Sequence, residues 1–122
     1  MNSMIEAADT ALADVNAERQ VLGILIKYPR EVDSVVDRLR PHHFYDLAHR
    51  RVYEIILELY HKRGRISYTQ VYNELRKEQI TDSPAEFLIA LTESFVSLSE
   101  LEPSIAVLQT KYQVRRDRKS TR

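Results

Sequence analysis

Cysteine is absent from this 122-residue chain, and glycine occurs only twice, at Gly23 and Gly64. Without cysteine there is neither a disulfide framework nor thiolate ligation of zinc, and a reducing compartment suits the chain. With two isolated glycines there is no G-x-x-x-x-G-K-[ST] or G-x-G-x-x-G loop. Such loops wrap phosphates with backbone N–H groups in a geometry that other residues do not supply, so their absence argues against a nucleotide-hydrolysing site. Long apolar runs are missing too. The longest, residues 21–26, is far short of the ~20 residues of a membrane span, and the acidic N-terminal stretch lacks the basic start of a signal peptide. The expectation is a cytoplasmic protein with no membrane association.

What is present is the composition of a folded globule: 43% hydrophobic and 30% charged residues. A chain of this length forms one domain and buries roughly two thirds of the surface exposed when unfolded. The formal charge is zero but unevenly spread. Lys111, Arg115, Arg116, Arg118, Lys119 and Arg122 face only Glu102 and Asp117 in residues 101–122, which makes that segment +4 and residues 1–100 −4.

Helical spacing dominates. Residues 1–15 hold few large apolar groups and read as a flexible or loosely helical arm. Asn16 serves as N-cap for a helix from about Ala17 to Tyr28, nearly encircled by Val21, Leu22, Ile24, Leu25, Ile26 and Tyr28, with Gly23 marking a close helix crossing. A short helix after Pro29 carries Val32, Val35, Val36 and Leu39. A long one places Tyr45, Ala48, Val52, Ile55, Ile56, Leu59 and Tyr60 on one stripe and ends at Gly64. Ser67 or Thr69 caps a fourth, whose inner face is Tyr68, Val71, Tyr72 and Leu75. Ser83, Pro84 and Glu86 open a fifth with a capping box, its core face Phe87, Leu88, Leu91 and Phe95. Pro103 begins a last helix striped by Leu101, Ile105, Leu108 and Tyr112. The fold class is therefore all-α: about six helices in a compact head, with a C-terminal helix that either folds back on the head or projects from it.

Candidate chemistry is thin. Asp46-x-x-His49 and Glu58-x-x-His61 echo the carboxylate and histidine pairs of di-iron bundles. Their histidines are 12 residues apart on one helix, or about 18 Å, so they share no metal cluster. His42-His43 has no third ligand at helical spacing, and the serines mostly sit where caps are needed. No catalytic, cofactor-binding or metal-binding residue is assigned, and no cofactor is implied. Arg50-Arg51 and Lys62-Arg63-x-Arg65 lie among Asp46, Glu54 and Glu58, which reads as a mixed-charge surface, with contact to DNA weak or absent.

Residues 17–25 (Ala-Glu-Arg-Gln-Val-Leu-Gly-Ile-Leu), 39–45 (Leu-Arg-Pro-His-His-Phe-Tyr) and 49–53 (His-Arg-Arg-Val-Tyr), then Leu59 followed by Gly64, and Val71 to Leu75, occur in that order. Together they resemble the N-terminal domain of DnaB-type replicative DNA helicases over residues 17 to about 112. The resemblance implies a helical head in the N-terminal collar of a hexameric ring, a role in subunit association and docking of primase or a helicase loader, and no catalysis in this segment. It also implies an ATPase motor in a separate, later region. The family often has a small pair of residues before its Tyr-Leu helix, where this chain has Ser83-Pro84-Ala85-Glu86-Phe87-Leu88. In this reading Phe44 and Tyr45 plug the base of the long helix into the core, and His49 bonds a turn.

The chain thus divides into an arm (1–15), a helical head (16–100) and a C-terminal helix with basic tail leading towards a linker and ATPase (101–122). Leu101, Ile105, Leu108 and Tyr112 are the candidate oligomer or partner interface, and Arg115, Arg116, Arg118 and Lys119 the candidate phosphate contacts. The alternatives are a small DNA-binding replication regulator using the basic tail, and a primase-type helicase-binding domain.

Overall fold

The computed structural model describes the backbone of residues 2–120 and the side chains of residues 15–117. Six α-helices follow one another: α1 (Asn2–Lys27), α2 (Val32–Val35), α3 (Leu47–Arg63), α4 (Tyr68–Glu78), α5 (Pro84–Thr92) and α6 (Leu101–Ser120). Single turns of 3-10 helix at Pro29–Glu31, Pro41–His43 and Leu98–Glu100 join them, and no strand occurs among the described residues.

α1 is the central helix, packed by α5 on one side and α6 on another. Its near-complete apolar circumference makes this possible: Val21, Leu22, Ile24 and Leu25 are wholly buried. Gly23 sits where α1 meets the end of α5, as its spacing predicts. A Cβ built there would lie 1.9 Å from the Leu91 carbonyl oxygen and 3.3 Å from the Phe95 ring, so the crossing exists only because the side chain is absent. The helix does not begin at Asn16. It runs from Asn2 straight through that residue, whose Oδ1 accepts a hydrogen bond from Arg19 Nη1 at 3.2 Å instead of capping.

The remaining ends follow local chemistry. Asp46 caps α3 by accepting from the His49 N–H at 3.1 Å, and Gly64 closes it in the left-handed region at φ 75°. Ser67 and Gln70 form a capping box on α4, with bonds of 3.2 and 3.0 Å. The box expected from Ser83 and Glu86 does not form. Ser83 stands at φ −131°, ψ 82° with its side chain making no cap bond, whereas Ser67 has the extended ψ of 158° that aims a hydroxyl at the helix. Ser97 and Glu100 make the equivalent box ahead of α6, which starts at Leu101, so Pro103 lies inside its first turn.

α6 folds back. Leu101, Ile105 and Leu108 are 3%, 2% and 1% exposed, inside the same core as α1, so in this fold they are not a surface for another chain. A polar clip reinforces the seam: buried Ser104 donates to Gln20 Oε1 at 2.7 Å, and Gln20 Nε2 donates to Glu100 at 3.2 Å. Arg38 adds a two-pronged pair with Glu102 at 2.6 and 2.8 Å. No helix among the described residues is long and apolar enough to cross a membrane.

Candidate interaction surface

The surface begins with a buried carboxylate. Glu18 is fully enclosed on α1, where its Oε1 receives the His49 ring Nδ1–H at 2.8 Å and the Asp46 N–H at 3.3 Å, and its Oε2 receives the Tyr45 N–H. A buried carboxylate is tolerable only when its lone pairs are met, and here two backbone donors and an imidazole meet them at the start of α3. The consequence is a fixed turn: Phe44 goes into the core against Tyr53, ring centroids 4.8 Å apart, and Tyr45 is turned outward. Tyr45 is 54% exposed, which corrects the expectation that it plugs the core alongside Phe44.

Beside that turn lies a groove of about 520 Å³ lined by His42, Tyr45, Arg50, Tyr112, Arg115 and Arg116. Tyr112, expected on an interface, packs within the chain against His42 and His43, with centroid separations of 4.6 and 4.9 Å. The Arg115 guanidinium stands 5.4 Å from the Tyr45 ring centre and 5.9 Å from that of Tyr112, and reaches the His43 carbonyl at 3.4 Å. Arg50 bonds the Phe44 carbonyl through Nε and Nη2 at 3.2 and 3.1 Å, which holds its guanidinium at the groove wall.

His42 in the groove and His43 beside it are both held below their ordinary value. For His42 partial burial is the main cause, and the charges of Arg40, Arg50 and Arg116 add to it. For His43 burial again leads, followed by His42 and then by Arg115 and Arg40, and its Nδ1 accepts the Arg40 backbone N–H at 2.9 Å. The adjacent Arg51 points elsewhere, into Glu54, Glu58 and Glu78 at 2.6–3.0 Å, which raises its own pKa and lowers that of Glu78. The Arg50-Arg51 pair therefore splits, one side chain to the groove and one to the α3–α4 seam.

Of the candidate phosphate contacts, Arg115 and Arg116 reach this groove, while the side chains of Arg118 and Lys119 lie outside the described residues. His49 is committed to Glu18, and among the described residues no cluster of three histidine, aspartate or glutamate side chains is placed to hold a metal. Sequence reasoning missed Glu18 as a buried hub. Its signal was a carboxylate one turn ahead of Leu22, at the head of the apolar run of residues 21–26. It also missed His42, Tyr45 and Arg50 as groove residues, and no spacing could have found them, because only the return of α6 brings them beside Arg116.

The residues that meet at Glu18 come from the acidic-x-x-x-Leu-Gly, Phe-Tyr and His-Arg segments. Residues 10–110 match the model of the DnaB-like helicase N terminal domain. The chain belongs to that family. It is also 28% identical over 101 residues to the replicative DNA helicase DnaB of Rhodothermus marinus, an alignment covering 80% of this chain and 10% of that protein. The chain thus spans about a tenth of the length of this curated relative. No solved structure matches it. The domain is a non-catalytic one.

Proposed function

We propose that this domain is the interaction head of a replicative DNA helicase, acting in subunit association within an N-terminal collar and in docking primase or a helicase loader in the cytoplasm. The observation that carries this reading is the engagement of the family's most characteristic residues. Glu18, Leu22, Gly23, Phe44 and His49 are all occupied in holding the head together. A rigid body of that kind acts through its outer face. The self-association surface lies outside the Leu101, Ile105 and Leu108 stripe, which the head's own core already covers.

Isothermal titration of the chain with the C-terminal region of the cognate primase, and separately with the loader, tests the docking role. Saturable binding to either supports it. Absence of binding to both, or robust ATP hydrolysis by the pure chain, overturns it.

A further inference from the structure

We infer that the groove between the Pro41–His43 turn, the start of α3 and the outer part of α6 binds single-stranded nucleic acid, with Arg50, Arg116 and the nearby Arg40 meeting phosphates and the outward ring of Tyr45 receiving a base. This goes beyond the docking role and does not depend on it.

Three observations converge. First, the cations come from three separate segments: Arg40 before the turn, Arg50 on α3, Arg115 and Arg116 on α6. Among the described residues no carboxylate lies within ion-pair distance of Arg40, Arg50 or Arg116, whereas Arg38 and Arg51 are each neutralised by glutamates. The charges of Arg40, Arg50 and Arg116 add to the burial that depresses His42. Net charge is no guide here, because −4 over residues 1–100 averages faces that the fold separates.

Second, the cations are interleaved with flat side chains. Tyr45 is more than half exposed, and next to it the rings of Tyr112, His42 and His43 pack on one another in tilted and edge-on contacts. A single strand alternates a phosphate with a flat base, and proteins that hold one without sequence preference use a basic track with aromatic platforms. An acidic peptide would use the guanidinium groups but supplies no regular flat partner for the rings. Third, the site is built: Arg50 is fixed by the Phe44 carbonyl, Arg115 by Tyr45, Tyr112 and the His43 carbonyl, and the turn beneath by Glu18.

The test is fluorescence anisotropy of the 122-residue chain with a labelled oligothymidylate of about 15 nucleotides, within the reach of such tracks. With about three phosphates neutralised, the logarithm of the association constant should fall with slope roughly −2 against log salt, a loss of about 20-fold between 50 and 200 mM. Arg116→Glu and Tyr45→Ala, both at exposed positions and checked for folding by circular dichroism, should each weaken binding at least about 5-fold. Arg63→Glu changes net charge as Arg116→Glu does, but at the far end of α3, and should change binding less than about 2-fold. The inference is overturned by no binding at about 50 mM salt, or by equal losses in Arg63→Glu and Arg116→Glu. A Glu- and Phe-containing peptide that binds with sensitivity to Arg116→Glu while the oligonucleotide does not would overturn it in favour of an acidic protein segment.

Discussion

The Glu18 carboxylate and the His49 ring, 31 residues apart in sequence, meet at 2.8 Å in the interior, and neither is more than 4% exposed. Through this contact α1 sets both the start of α3 and the outward turn of Tyr45. Glu18→Ala strands the buried His49 Nδ1–H and the partly buried Tyr45 and Asp46 N–H groups, and should destabilise the fold by about 3 kcal/mol. Glu18→Gln keeps an acceptor oxygen and should lose roughly half as much. Urea unfolding midpoints check both, and equal losses for the two variants would contradict this role.

The two glycines should fail for different reasons. Gly23→Ala gains up to ~1 kcal/mol of helix propensity, yet its Cβ would sit 1.9 Å from the Leu91 carbonyl oxygen, so α1 and α5 must separate. A net loss of about 2 kcal/mol or more is expected. At Gly64 nothing lies within 4 Å, and the penalty comes from φ 75° alone, about 1 kcal/mol for alanine. Asparagine, which tolerates this region, should restore part of the loss at position 64 and none at position 23. Thermal melts of the four variants distinguish the two cases.

Leu108→Glu should abolish folding and not merely weaken association, because Leu108 is 1% exposed and a carboxylate there would be buried without a partner. Circular dichroism reads the outcome directly. A folded, monomer-shifted Leu108→Glu variant would return the stripe to the surface.

That stripe also marks how far the sequence was readable. Six helices, the Gly23 crossing, the Gly64 stop and a cap at Ser67 or Thr69, which the structure places on Ser67, were legible because each rests on local chemistry or on a period within one segment. Leu101, Ile105 and Leu108 were not assignable between core and interface, since one apolar face on a helix looks the same whether its cover is α1 or another chain. Tyr45 was misread for a similar reason: Phe44 and Tyr45 are adjacent, and which of them points inward is decided by Glu18, far away in sequence. Of the groove only Arg115 and Arg116 were legible, and not as part of an assembled site. Its charges are dispersed over three segments, and the sequence neighbours of Arg50 suggested neutralisation that falls only on Arg51.

His42 and His43 offer a pH test of this arrangement. The groups facing them are Arg40 beside them, Arg50 and Tyr45 from the start of α3, and Tyr112, Arg115 and Arg116 from α6; burial chiefly, with Arg40, Arg50 and Arg116 at His42 and with His42, Arg115 and Arg40 at His43, holds both rings below 6.5. The unfolded chain, lacking this field, takes up protons first as pH falls through its ordinary value near 6.5. Stability contributed by the two neutral rings is therefore fully present above that value and declines as pH drops below it towards the folded-state values. NMR titration of the histidine ring protons should give midpoints below 6.5 for both residues. Arg116→Glu should move the His42 midpoint upward, because a cation in its field becomes an anion. Saturating oligothymidylate should raise the His42 midpoint in the same direction, so that binding tightens as pH falls from 7 to 5.5, whereas a midpoint indifferent to both changes would mean that neither Arg116 nor a bound phosphate faces the ring.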